Sequence, residues 1–154
     1  MKKVFASLLL LSAIQIVSAQ SSKQVQWSYT AKKIADKTYE IHMTATINGD
    51  FHLYAQHQHI AGDVGPVATA FTFTKNPLLV LDKEVKENGK VIKKHEDAWK
   101  GDVNYYEKTV DFVQIVKLKT NVKTNLAGKV EFMVCNEKQC LPPSEIEINV
   151  NIGG

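Results

Sequence analysis

The chain has no arginine among its 154 residues, only two cysteines and only four prolines. The missing arginine removes the side chain that most often clamps phosphate or reads base edges. The nineteen lysines do not replace it. The formal charge is +3, but Lys2 and Lys3 sit in a separate N-terminal stretch, and without them 17 lysines face 16 acids. So small an excess is no footprint for nucleic acid, and none is expected as a partner. Two cysteines are too few for a disulfide-scaffolded miniprotein. A chain this long does not need them, because it can bury a hydrophobic core. At 44% hydrophobic and 23% charged residues it is neither disordered nor fibrous. Hydrolytic signatures are also missing: there is no Gly-x-Ser-x-Gly elbow, no phosphate loop and no His-Glu-x-x-His.

Beyond the first nineteen residues no run approaches the 18 apolar residues of a membrane-spanning helix. Those nineteen have an order of their own. Met1-Lys2-Lys3 is a charged start, Val4 to Leu11 an apolar run extended through Val17, and Val17-Ser18-Ala19 a set of small cleavage residues. Charge, apolar run and cleavage residues in that order define a secretory signal peptide. Residues 1–19 are therefore expected to be removed, leaving residues 20–154 as one domain in an oxidising compartment, periplasmic or otherwise exported. No cysteine lies near the cleavage point for a lipid anchor, and no membrane insertion is expected after signal removal.

The rest of the chain alternates with a period of two. Tyr39, Ile41, Met43, Ala45 and Ile47 interleave with polar residues, as do Ile146, Ile148, Val150 and Ile152, and Val130, Phe132 and Val134. Val25, Trp27 and Tyr29 repeat the pattern, and Phe71 and Phe73 sit among threonines. Such alternation marks half-buried strands. Asn88-Gly89, between Lys83–Glu87 and Lys90–Lys94, predicts a hairpin. Tyr105 to Leu118 is one long β-prone run whose apolar phase slips between Phe112 and Val113, which predicts a bulge or a strand that changes sheets. No segment keeps a helical period for three turns. Seven or more short strands predict an all-β, immunoglobulin-like antiparallel β-sandwich, with a small closed barrel as the alternative.

Cys135 and Cys140 bracket Asn136-Glu137-Lys138-Gln139, and Leu141-Pro142-Pro143 follows. Alternation puts Cys135 on the face opposite Val130, Phe132 and Val134, and a four-residue loop is a common hairpin connection. Opposed residues of such a hairpin suit a disulfide. The prolines donate no ladder hydrogen bonds, so this stretch is expected at an edge, on an outer face. A structural staple is the ordinary role of such a pair. Against it, so short a crosslinked segment stabilises by only about 2 kcal/mol on the chain-entropy model. The inter-sheet disulfide of immunoglobulin domains also joins strands far apart in sequence. Spacing does not set a reduction potential, so the residues alone leave both staple and redox couple open.

Three segments in order resemble a known family. Phe132-Met133-Val134-Cys135-Asn136-Glu137-Lys138-Gln139-Cys140-Leu141-Pro142-Pro143 resembles the active-site hairpin of the N-terminal periplasmic domain of thiol:disulfide interchange protein DsbD. Gly49-Asp50-Phe51-His52-Leu53-Tyr54 resembles that family's aromatic strand, and His95-Glu96-Asp97-Ala98-Trp99-Lys100-Gly101 its cap loop. The resemblance implies an immunoglobulin-like domain with thiol–disulfide oxidoreductase activity of the protein-disulfide-reductase type. It would take electrons from a thioredoxin-like or membrane electron-donor protein and pass them to oxidised periplasmic thiol proteins. It makes Cys135 and Cys140 the catalytic pair, with Cys140 forming the mixed disulfide and Cys135 resolving it. Trp99 becomes the cap, and Asp97, Phe51 and Tyr54 become cap or wall residues. No cofactor and no metal are implied.

The chain departs from the family in three ways. Its cysteines are separated by four residues rather than five, Trp99 stands where phenylalanine is usual, and Ala98 replaces an acid. These 154 residues include no stretch that reads as a membrane or thioredoxin domain, so another protein is expected to supply the electrons. Lys138, between the cysteines, is positioned to favour a thiolate, although a turn lysine is the commoner case. Two rival functions remain. His52, His57 and His59 are close in sequence and with the cysteines would offer soft-metal ligands, but His-x-His is not the common zinc spacing. The other rival is a non-catalytic β-sandwich interaction module with a structural disulfide.

Overall fold

The computed structural model describes residues 21–58, 60 and 65–154. The expected signal peptide lies outside them. After one helical turn, α1 (Ser21–Gln24), the chain is all strand and connection. The first sheet is formed by β1 (Val25–Ala35), β2 (Thr38–Ile47), β8 (Thr109–Leu118) and β5 (Leu79–Asn88), in that order. The second contains β10 (Val134–Cys135), β3 (His52–Tyr54), β7 (Gly101–Tyr106) and β6 (Ile92–Glu96). The third contains β11 (Ser144–Ile152), β9 (Thr124–Phe132) and β4 (Ala70–Phe73). Every pairing is antiparallel. This is the predicted all-β, immunoglobulin-like sandwich.

The alternating residues meet in one core. The first sheet contributes Val25, Ile41, Met43, Phe112 and Val116, and the third contributes Leu126, Val130, Phe132, Ile148 and Val150. Leu53, Tyr106 and Val134 extend the core along the second sheet. Trp27 packs against Phe132 and Phe112, with ring centroids 5.6 and 5.7 Å away, and meets Phe71 edge-on at 6.1 Å. Each such side chain contributes roughly 1.5–3 kcal/mol by leaving water.

The Asn88-Gly89 hairpin does not form. β5 pairs with β8, whereas β6 pairs with β7 in another sheet, so Gly89 to Val91 carry the chain across the sandwich. Gly89 is needed for closeness rather than for a left-handed turn. A β-carbon there would lie 3.1 Å from the Tyr106 ring and from Val110 Cγ2.

The long run from Tyr105 does change sheets, but at Glu107-Lys108, where Lys108 takes a φ of 64°. The apparent slip at Phe112 and Val113 has a different cause. Positions 110, 112, 114, 116 and 118 keep one phase, and the inward place at 114 is filled by a glutamine that is 2% exposed. Gln114 Nε2 reaches the carbonyls of Asp82 and Lys83 at 3.2 Å and of Ile115 at 2.8 Å. The bulge lies across from it in β5, where the register shifts between Asp82 and Lys86. The glutamine satisfies carbonyls that the bulge leaves out of the ladder.

Candidate disulfide site

β9 leads through Met133 into β10, a short edge strand. Alternation sends Val130, Phe132 and Val134 into the main core and turns Met133 and Cys135 to the other face. Asn136 builds the loop that follows. Its Oδ1 accepts the backbone N–H groups of Lys138 (3.0 Å) and Gln139 (2.9 Å), and its Nδ2 donates to both Asp50 carboxylate oxygens at 3.2 Å. Two backbone bonds close the hairpin: Asn136 N–H to the Gln139 carbonyl and Leu141 N–H to the Val134 carbonyl, each 2.9 Å. Cys135 and Cys140 face each other between these bonds, with α-carbons 4.0 Å apart and an S–S bond of 2.00 Å. Leu141, buried in the main core, anchors the returning chain.

The two cysteines differ in access. Cys140 is exposed, whereas Cys135 is 2% exposed. The expected bare outer face at the edge is therefore covered at Cys135. Tyr54, Val103, Tyr105 and Met133 form a second apolar cluster with it, and Ile60, Val67, Ile92 and Trp99 pack against that cluster.

The β6–β7 hairpin places the tryptophan. Glu96 pairs with Gly101, leaving Asp97-Ala98-Trp99-Lys100 as its loop. Trp99 N–H donates to the Glu96 carbonyl at 3.1 Å, Lys100 N–H to the Asp97 carbonyl at 3.2 Å, and Lys100 adopts a φ of 51°. Trp99 Nε1 donates to the Tyr54 hydroxyl, which in turn donates to Glu96 Oε2, both at 3.4 Å. Burial pushes the Tyr54 phenol up to about 12, so it remains a donor at neutral pH. Half-buried Trp99 shares an open cleft of about 430 Å³ with Tyr54, His52, Cys135, Cys140 and the loop between the cysteines.

Asp97 lies at the mouth of this cleft, fully exposed, 3.9 Å from His95 Nε2. Lys138 also lines it from the exposed loop. Phe51 is not a wall residue. It is 8% exposed and belongs to the main core with Leu53 and Ala55, because β3 sends odd and even positions to opposite faces. Among the described residues His52 and His57 do not come together. His52 faces the cleft, His57 lines a separate depression with Phe71 and Gln114, and His59 is outside the described residues.

The site also contains groups to which the sequence pattern assigns no part in thiol exchange. Lys94 of β6 bridges to Glu137 of the cysteine loop at 2.9 Å. That contact lowers the Glu137 carboxyl and raises the Lys94 ammonium from their ordinary values. His52 pairs directly across the strands with Cys135. Its ring lies 4.3 Å from that of Tyr105 and meets Tyr54 edge-on at 5.1 Å. Burial, aided by Lys94 and opposed by Glu137, lowers its pKa to about 4, so it is neutral at pH 7. Strand parity was the available signal: His52 and Tyr54 share a face that Phe51 does not.

A β-sandwich with one accessible and one sheltered sulfur at a sheet edge, beside an aromatic hairpin loop, has the form of a thiol–disulfide exchange domain. Residues 17–152 match the family model described as thiol:disulfide interchange protein DsbD, N-terminal, and the chain belongs to that family. Two solved structures have the same fold. The N-terminal periplasmic domain of ScsB from Proteus mirabilis matches with a TM-score of 0.57 and 15% identity, covering 87% of this chain. This chain spans about half of that one, 48%. The reduced N-terminal domain of DsbD from Neisseria meningitidis matches with a TM-score of 0.53 and 14% identity, covering 86% of this chain and 89% of that one. No curated protein matches the sequence. Among the described residues no helix is long and apolar enough to cross a membrane.

Proposed function

We propose that this chain is an exported carrier of reducing equivalents, with residues 1–19 as its signal peptide and 20–154 as its working domain. It takes electrons from a thioredoxin-like or membrane electron-donor protein and gives them to oxidised periplasmic thiol proteins. The observation that carries this reading is the unequal exposure of the pair. A sulfur that attacks a partner must be reachable, and one that resolves the intermediate should be sheltered beside it. Cys140 is exposed and Cys135 is 2% exposed directly behind it. The periplasmic setting named for the ScsB neighbour supports export.

In this scheme the Cys140 thiolate attacks a partner disulfide and forms a mixed disulfide, and the partner's other sulfur leaves and is protonated. Cys135 then loses its proton and attacks Cys140 Sγ. The Cys135–Cys140 bond forms, the Cys140–partner bond breaks, and the second partner sulfur leaves with the electron pair and takes a proton. The domain is oxidised by two electrons and the partner reduced by two. Trp99 acts as a lid that a docking partner displaces. Asp97 at the cleft mouth and Lys138 in the loop set the charge that a partner meets.

The test is the equilibrium of the pair with redox buffers. A shuttle has a potential within reach of periplasmic thiol proteins. A value far below about −300 mV marks a structural bond and overturns the proposal. A Cys135→Ser variant should trap partners through Cys140, and failure to form any mixed disulfide with a model disulfide peptide would count equally against it.

A further inference from the structure

One buried nitrogen at the site lacks a partner. His52 is 7% exposed, and its Nε2 is buried without a hydrogen bond. Leaving a buried polar atom unpaired costs roughly 1–3 kcal/mol, so such atoms call for an explanation. Tyr105 and Tyr54 hold the ring from two sides. The residue directly opposite it is Cys135. Directly opposed residues share a face, with β-carbons about 4.5–5.5 Å apart, so a short sulfhydryl and an imidazole can reach each other. In the disulfide, Cys135 has no proton to give and its sulfur is a weak acceptor. In the dithiol it has both a proton and, after losing it, a negative charge.

We propose that His52 Nε2 is the proton acceptor for Cys135, unpartnered in the disulfide form and hydrogen-bonded to the Cys135 sulfur in the dithiol form. This inference rests on the exchange function proposed above and assigns one of its steps. As Cys135 attacks Cys140 Sγ in the mixed disulfide, its proton passes to Nε2, and from there to the departing partner thiolate. The ring ends neutral, the new disulfide leaves Nε2 unpartnered again, and the proton is accounted for.

The groups around His52 fit the role. Burial leaves Nε2 unprotonated at pH 7 but also makes it a weak base, so its protonation needs a negative charge close by. Once protonated, it is favoured by the adjoining Cys135 thiolate and by Glu137 from the cysteine loop, and opposed by Lys94 from β6. Tyr54 on its own strand and Tyr105 on β7 are both raised in pKa and stay uncharged. Glu96, Asp97, His95 and Lys138 complete the ionisable lining of the cleft.

The test uses the full domain carrying Cys140→Ser, in which Cys135 is the one remaining cysteine, and follows its thiolate by ultraviolet absorbance against pH. Adding His52→Phe removes the acceptor of the Cys135 sulfhydryl and should move the midpoint by about one pH unit, about a tenfold change in thiolate at a given pH below it. His52→Gln keeps a hydrogen-bonding amide and should recover part of the shift. A residue that only filled space would move neither curve, and superimposed titrations overturn the proposal. The wild-type chain gives a second readout if His52→Phe does not fold. The ¹⁵N resonance of His52 Nε2 should shift when the disulfide is reduced, and an unchanged resonance overturns the proposal. The two readings fail separately. A chain whose pair exchanges with no disulfide peptide, while His52 still tunes Cys135, loses the shuttle and keeps this inference. Normal exchange with unmoved titrations does the reverse.

Discussion

Two apolar clusters lie on opposite faces of the same short strand and are made of different materials. On one side are aliphatic, thioether and phenyl side chains: Ile41, Met43, Leu53, Phe112 and Phe132, all 0% exposed. Polar tips are few there: the hydroxyls of Tyr39 and Tyr106 within the core, and Trp27 Nε1 and Tyr29 Oη at its margin. On the other side are Tyr54, Tyr105, Met133 and Cys135, bordered by Trp99 and His52. Each aromatic ring of that second group carries a polar atom. The first cluster joins sheets and holds the fold. The second surrounds the Cys135–Cys140 disulfide and opens to a cleft, so it is expected to rearrange without loss of the sandwich.

The largest effect separates two adjacent residues. Phe132 points into the main core and Met133 into the small cluster. Phe132→Ala should cost about 4 kcal/mol and Met133→Ala about 2 kcal/mol, read from denaturant midpoints. Equal losses would mean that the two clusters are one core.

Acid should act on the small cluster. The pKa of His52 is about 4 in the folded chain against 6.5 when exposed. The unfolded chain therefore binds this proton first as pH falls. Stability from the neutral ring is complete above pH 6.5, declines through the window and is lost below pH 4. The full difference is about 3 kcal/mol by linkage. Denaturation midpoints measured from pH 7 to 4 should show this slope, and His52→Phe should flatten it. An unchanged slope in the variant would place the acid sensitivity in another group.

Reduction of the disulfide should matter less. It closes a short loop, so its loss should cost no more than about 2 kcal/mol. The dithiol form should keep its β-sheet circular dichroism and unfold cooperatively. Global unfolding on reduction would make the bond a staple for the whole sandwich and erase the distinction between the clusters.

The same contrast marks how far the sequence is legible. Alternation located β2, β9 and β11 and set Cys135 opposite Phe132, because period-two burial is written residue by residue. The cysteine hairpin was legible for a similar reason, since four intervening residues suffice for a local turn. Asn88-Gly89 misled because a turn signal does not say which strands its flanks join. That choice depends on β8 and β7, up to thirty residues away. Gln114 looked like a break in phase because its partners are carbonyls of a bulge in another strand. His52 looked like one of three neighbouring histidines along the chain. Its relation to Cys135 lies across a strand pairing that spacing does not reveal.

The smallest effect on stability, and the one most specific to the site, belongs to Trp99. Its ring is half-buried, and its one polar tie is a 3.4 Å bond to the Tyr54 hydroxyl. Trp99→Ala removes surface from the margin of the small cluster rather than from a closed core, so the loss should be about 1 kcal/mol. The consequence for the disulfide should be larger. With the ring gone, the cleft beside Cys135 and Cys140 widens and small reagents reach the sulfurs directly. Reduction by a small thiol and reoxidation by a small disulfide should both accelerate several-fold. Exchange with a folded protein partner should change less if, as proposed, a docking partner displaces the ring. Equal acceleration for small and large partners would show that the ring merely packs at the site. Unchanged rates for both would remove the lid. In either case the pair would still be tested by its potential, so the gate and the chemistry can be judged separately.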